Sequence, residues 1–188
     1  MNTLSHTIKF FFGLEAPASQ VTSKESEVLL KYLPARGVVV ELGCFEGSTT
    51  ALLATNTEAT LYSIDPFFSG RLGVSYGEWI AKLHSRRSRT RNVRFLKGFS
   101  FDQARHFSES IDFLFVDADH RFEAVQQDWN DWFPKVKAGG IIAMHDSKVA
   151  ENSPDRLGSM DFYDNFLSQL PKVTEIDGVD SLVVLRKI

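Results

Sequence analysis

Five short apolar runs alternate with helical stretches along this chain, and most of the runs end in an acid. Val38–Leu42, Thr60–Ile64, Val93–Leu96, Ile111–Val116 and Ile141–Met144 are rich in β-branched and aromatic residues. Strands that read as continuous apolar runs are buried on both faces, and helices between successive strands are what parallel crossovers require. Ser48–Ala54, Tyr76–Ser85 and Phe122–Phe133 supply helical patterns in the gaps, the last of them stopped by Pro134. The pattern predicts an α/β fold, a doubly wound, Rossmann-like, seven-stranded sheet. Val173–Ile176 and Leu182–Leu185 close the chain, with a helical Asp161–Leu170 before them and Asp177-Gly178 turn chemistry between them. That link is too short for a parallel crossover, so the sheet is expected to be mostly parallel with one antiparallel edge strand.

The remaining features set bounds. Residues 1–20 read as an irregular lead-in broken by Gly13 and Pro17, and Lys24–Tyr32 as a short helix capped at Ser23, with Glu27 as cap partner. A length of 188 residues suits one domain over 1–188, and 43% hydrophobic with 24% charged residues argues against disorder. The lone cysteine, Cys44, excludes an internal disulfide framework and a cysteine-based zinc site. A net charge of −3 gives no global drive toward nucleic acid or an anionic membrane. No apolar run approaches the roughly 20 residues of a membrane span, and no targeting segment is convincing. A cytoplasmic location follows as an expectation, with a small-molecule partner, no membrane, nucleic acid disfavoured and a homodimer left open.

In open α/β sheets ligands bind beyond the carboxyl ends of the strands. That rule directs attention to Glu41, Asp65, Gly98, Asp117 and Asp146. Glu41-Leu42-Gly43-Cys44-Phe45-Glu46-Gly47-Ser48 follows the first strand and opens a helix. Glycine there permits positive φ and close approach of a ligand to backbone, and the helix N-terminus offers free N–H groups. The nicotinamide fingerprint G-x-G-x-x-G is not met, because Phe45 holds the middle position.

This Glu-x-Gly-x-Phe-x-Gly-Ser loop resembles the first motif of class I S-adenosylmethionine-dependent methyltransferases. With an aromatic at the middle position it is similar to the catechol and caffeoyl-CoA O-methyltransferases and related small bacterial enzymes. Leu61–Pro66, Leu96–Ser100, Phe113–His120 (FLFVDADH) and Lys137–Asp146 (KAGGIIAMHD) resemble the later motifs in order, so the match spans roughly Val38–Asp146. The resemblance implies S-adenosylmethionine as cofactor. Glu41 and Gly43 are then expected at the methionine amino end, with Phe45, Gly47 and Ser48 beside them. Asp65 is expected on the two ribose hydroxyls, next to Pro66. Phe67 and Phe101 are expected to sandwich adenine, with Ser100 on its edge, Gly98 in the same loop, and Asp117 completing the cofactor set.

Methyl transfer to oxygen needs positioning and a route for the acceptor's proton. The resemblance implies a divalent cation such as Mg²⁺ on Asp117 and Asp146. The position of the family's third ligand, an Asn, is held by Ser147, which leaves His145 as the candidate replacement. His120 stands where the family often carries a lysine, and an imidazole suits a general base near neutral pH. Asp117 and His120 are therefore the expected catalytic pair. Two rival readings remain at this stage. One is an RNA or protein methyltransferase using the basic stretch Arg86–Arg94; the other is a non-catalytic nucleotide-binding module. Trp79, Trp129 and Trp132 read as packing residues, and Ser147–Met160 as a lid.

Overall fold

In the computed structural model, which describes residues 3–70, 73–149 and 156–188, the apolar runs become strands. They are β1 (Val38–Leu42), β2 (Thr60–Asp65), β3 (Val93–Lys97), β4 (Ile111–Val116) and β5 (Val136–Met144). β6 (Val173–Val179) and β7 (Leu182–Lys187) complete one sheet in the order β3-β2-β1-β4-β5-β7-β6. The pairings β1–β2, β2–β3, β1–β4 and β4–β5 are parallel. β7 runs antiparallel to both β5 and β6, so the antiparallel strand lies on the side the short link requires, with β6 outside it. The chain reverses its direction of travel across the sheet between β1 and β4, which makes the space above their carboxyl ends the switch point of the fold.

Alternate residues of each strand feed two cores. Val39, Phe113, Phe115 and Val184 pack with Leu29 and Leu53 of α2 (Ser23–Tyr32) and α3 (Ser48–Thr55). Val40, Leu42, Leu114, Val116 and Ile142 pack on the other face with Trp129, Trp132 and Phe162 of α6 (Phe122–Trp132) and α7 (Gly158–Asn165). Phe113, Phe115, Phe162 and Trp132 are fully buried, and each such side chain contributes about 1.5–3 kcal/mol over leaving it in water. Trp129 and Trp132 pack as expected, whereas Trp79 on α4 (Tyr76–Arg87) is 65% exposed and does not.

Several boundaries differ from the sequence reading. The lead-in contains a helix, α1 (Thr3–Phe11), which docks Phe10 into the protein. Arg87 holds it by donating to the carbonyls of Phe10 and Phe11 at 2.8 and 2.6 Å, satisfying helix-end acceptors that a sequence pattern does not reveal. The α2 cap is Thr22, not Ser23, and its partner is Glu25, not Glu27. Thr22 Oγ1 accepts from the Glu25 N–H at 3.2 Å and Glu25 Oε2 accepts from the Thr22 N–H at 2.8 Å. The T-x-x-E spacing that this reciprocal pair needs starts one residue earlier than the reading placed it. A seven-residue helix, α5 (Ser100–His106), was missed because it is too short to show periodicity and has no side-chain cap. β5 begins at Val136, ahead of the Ile141 start that the apolar run predicts. Of the stretch read as a lid, residues 150–155 lie outside the described residues.

Candidate functional site

Main-chain bonds continue the ladder past the strand ends and draw the loops together. The N–H of Gly43 bonds Ile64 O at 2.9 Å, Asp117 N–H bonds Leu42 O at 2.9 Å, and His145 N–H bonds Val116 O at 3.0 Å. Gly43 adopts φ +91°, and a Cβ on it would stand 1.9 Å from the Asp117 carbonyl oxygen. Only glycine permits that contact, which is the physical reason for Gly43 in the loop. Gly47, at φ +75°, similarly brings α3 against α4, since its Cβ would meet Ala81 Cα at 2.9 Å.

These loops enclose a cavity of about 700 Å³ above the switch point. Gly43, Cys44, Phe45 and Ser48 line one side, Asp65–Phe68 and Phe99–Phe101 another, and Asp117–Asp119 with the inner face of α6 the third. Asp65 organises the rim. Its Oδ2 accepts from the N–H groups of Cys44 and Phe45 at 2.9 Å each, and its Oδ1 from Phe67 N–H at 2.6 Å. One carboxylate thus fixes the glycine loop to the end of β2 and still offers lone pairs to a ligand.

The expected cofactor residues fall into two groups. Gly43, Phe45, Ser48, Asp65, Pro66, Phe67, Ser100, Phe101 and Asp117 line the cavity, whereas Glu41, Gly47 and Gly98 do not. Glu41 is wholly buried beneath the loop, where its Oε2 accepts from Thr50 and Ser63 and its Oε1 has no partner. Burial pushes its pKa up to about 8, so it is a neutral acid at pH 7 that braces the loop from below. The aromatic sandwich differs too. Phe67, 3% exposed, packs against Phe95, while Phe101 stacks on Phe99 with ring centroids 5.2 Å apart. The aromatic wall is therefore Phe68, Phe99 and Phe101, two of which sequence reasoning left out.

At the β4–β5 end, Asp117, His120 and Asp146 bring one ligand atom each within 4.8 Å of one another. His120 Nε2 lies 3.5 Å from Asp146 Oδ2. His145, expected as a metal ligand, is instead enclosed by carboxylates. Its Nδ1 faces Asp117 at 3.1 Å and Asp146 at 3.4 Å, and its Nε2 faces Glu25 at 3.3 Å. Burial opposes its charge, but those three acids outweigh burial and raise its pKa far above the usual imidazole value. Glu25, anchored further by both donors of Ser181, is held ionised against its own burial by His145. His145 is therefore a braced cation behind the cluster, and His120 takes its place as the third candidate ligand. Ser147 turns its hydroxyl back to the His145 carbonyl and stays out of the cluster. Glu25 was not legible in the sequence, where Glu27 was the expected cap partner; its contacts with His145 and Ser181 depend on where α2 docks.

The N-terminal segment closes the remaining side. His6 bonds Glu15 at 2.7 Å and Glu46 at 2.9 Å, and Glu46 also accepts from Ala18 N–H at 2.6 Å. Ala18, Ser19 and Gln20 thereby reach the cavity wall. The basic stretch Arg86–Arg94 is partly consumed by structure, since Arg87 binds α1; ahead of it Lys82 pairs with Glu78. No helix among the described residues is long and apolar enough to cross a membrane.

A doubly wound sheet with a glycine-floored cavity at its switch point defines a nucleotide-cofactor type of α/β domain. The comparisons narrow this. The sequence model of a family described as a methyltransferase domain matches residues 40–147, and the chain belongs to that family, with the class I methyltransferase fold. An uncharacterized protein, R132, of Acanthamoeba polyphaga mimivirus is 31% identical over 121 residues, 61% of this chain. The match spans about half of that relative, 53% of its length. Among solved structures, a candidate caffeoyl-CoA O-methyltransferase from Staphylococcus aureus superposes with a TM-score of 0.72 at 14% identity, over 100% of this chain and 92% of that one. An rRNA methylase from Streptococcus thermophilus gives 0.66 at 13%, over 92% and 99%. An O-methyltransferase from Bacillus cereus in complex with S-adenosylhomocysteine gives 0.65 at 17%, over 100% and 91%. At these identities the likeness is one of fold.

Proposed function

We propose that this chain, as a single domain, binds S-adenosylmethionine in the cavity and directs its methyl group to an oxygen of a small-molecule acceptor. The observation that carries this reading is the joining of a nucleotide-sized cavity to an Asp–His–Asp cluster through one shared wall residue, Asp117. When bound, the cofactor supplies an electrophilic methyl on a sulfonium. Gly43, Phe45 and Ser48 take its amino-acid end against exposed backbone, Asp65 takes the ribose hydroxyls, and Ser100 and Phe101 lie along the base. Glu41 supports the loop from beneath.

Without an ion, the acceptor's proton goes to the imidazole of His120, whose Nε2 lies 3.5 Å from Asp146 Oδ2. Alternatively, the ligand atoms of Asp117, His120 and Asp146 would hold a divalent cation of the Mg²⁺ or Mn²⁺ type, which would lower the acceptor's pKa, with His120 then a ligand and not the base. The cytoplasm is the compartment this soluble-cofactor chemistry fits.

Calorimetry with S-adenosylhomocysteine, then turnover of a phenol and catechol panel with and without EDTA, tests the reading. We expect one site per chain for S-adenosylhomocysteine, no comparable binding of NAD, and oxygen methylation that EDTA diminishes. Failure to bind S-adenosylhomocysteine refutes the cofactor. EDTA-insensitive turnover refutes the ion and leaves His120 to act alone.

A further inference from the structure

Asp128 stands in the cavity wall without a part in the assignments above. Five acids line that cavity, and Asp128, 4% exposed, is the most buried of them. Its partner among the described residues is the Ser100 hydroxyl at the start of α5, which donates to Oδ1. Its Oδ1 takes that one donor, which leaves Oδ2 to accept from a ligand in the cavity, since a carboxylate accepts from several donors at once. Burial raises its pKa to about 6, so it is ionised at pH 8. Beside it, Phe99 and Phe101 stack nearly parallel, 12° apart, and Phe68 meets Phe99 edge-on at 5.9 Å. An aromatic wall takes a flat heterocycle, and an acceptor at its foot selects a ring whose edge carries an N–H donor. The other polar side chains α6 adds to this wall, Glu123 and Gln127, are exposed and exert weaker discrimination.

We infer that Asp128 is the specificity-determining acceptor for the exocyclic amine of adenine, so that the site takes a 6-aminopurine and rejects a 6-oxopurine. This rests on the cofactor reading above and adds to it the residue that chooses the base. In the same pose a 6-oxopurine turns a carbonyl oxygen toward the carboxylate, where two acceptors face each other, and its N1–H reaches the carboxylate only if the ring shifts against the aromatic wall. Ser100 acts through Asp128, as the residue that sets the carboxyl's orientation.

The test compares S-adenosylhomocysteine with S-inosylhomocysteine by calorimetry at pH 8. The two differ at the purine 6-position, where amine gives way to carbonyl, and at N1, which gains a proton. Wild type is expected to prefer the adenosyl compound by about tenfold to a hundredfold, the value of one hydrogen bond to a charged group. Asp128→Asn offers a donor as readily as an acceptor, and the preference should fall below about threefold. Asp128→Ser, which leaves room for water, carries the same readout if the Asn variant melts below the assay temperature. A wild type with no preference, or folded variants that keep it, overturns the role of Asp128 while leaving the cofactor reading intact. Absence of S-adenosylhomocysteine binding by wild type overturns both.

Discussion

Gly43→Ala probes the contact on which the cavity floor depends. Two separable costs follow from the structure. The residue sits at φ +91°, and forcing an L side chain to hold such a conformation costs roughly 1–3 kcal/mol. The new methyl would also lie 1.9 Å from Asp117 O and 2.6 Å from Asp117 C, far inside the ~3.5 Å of an ordinary non-bonded contact. Both atoms are backbone, so β1 and β4 must part where the Asp117 N–H bonds Leu42 O. Overpacking of this kind adds about 1–3 kcal/mol. The sum, about 2–6 kcal/mol, is a large fraction of the roughly 5–15 kcal/mol that holds a domain together. Gly139→Ala is the control, because Gly139 has a similar φ of +79° and nothing within 4 Å of its missing Cβ. Urea unfolding followed by circular dichroism should show Gly43→Ala losing clearly more stability than Gly139→Ala. S-adenosylhomocysteine affinity should fall at least about tenfold in Gly43→Ala alone. If the two variants lose the same stability and both bind normally, the close approach of Gly43 to Asp117 is not what shapes the floor.

Two further outcomes follow from the rim. Asp65→Asn replaces a carboxylate that accepts three backbone N–H groups with an amide that sets its own N–H₂ against one of them; we expect about 1–3 kcal/mol of lost stability and at least about tenfold weaker S-adenosylhomocysteine binding. A folded variant of unchanged affinity, measured by calorimetry, refutes the ribose assignment. Hydrogen bonds to Glu15 and then Glu46 raise the His6 pKa above the usual imidazole value of 6.5, so its contribution is complete below pH 6.5 and fades as pH climbs through the raised value. The stability gap between wild type and His6→Gln in urea should therefore be widest near pH 6 and narrow toward pH 9; a gap independent of pH shows that His6 is neutral in the folded chain.

The amino-acid sequence by itself determined the class of fold and the rim at which its cavity opens. Unbroken apolar runs separated by helical patterns leave few alternatives to a parallel sheet, and the residues closing those runs must gather at one rim. Asp65, Asp117 and Asp146 were legible for that reason, as was the glycine loop. Tertiary structure decided which side chains at the rim face the ligand. Glu41 closes a strand like the others, yet its pleat position turns it beneath the loop toward Thr50 and Ser63. His145 and His120 are both near Asp146 in sequence or space, but α2 carries Glu25 to His145 and withdraws that ring from the cluster. Asp128 lies on α6 and Phe99 just ahead of α5, and packing of those helices brings them to the cavity across the 28 residues between Ser100 and Asp128. Local pattern reports which face of an element is apolar; it carries no record of which distant element will cover that face. The identities of the buried acid in the cavity wall and of the third residue in the cluster therefore appear only once the helices are docked.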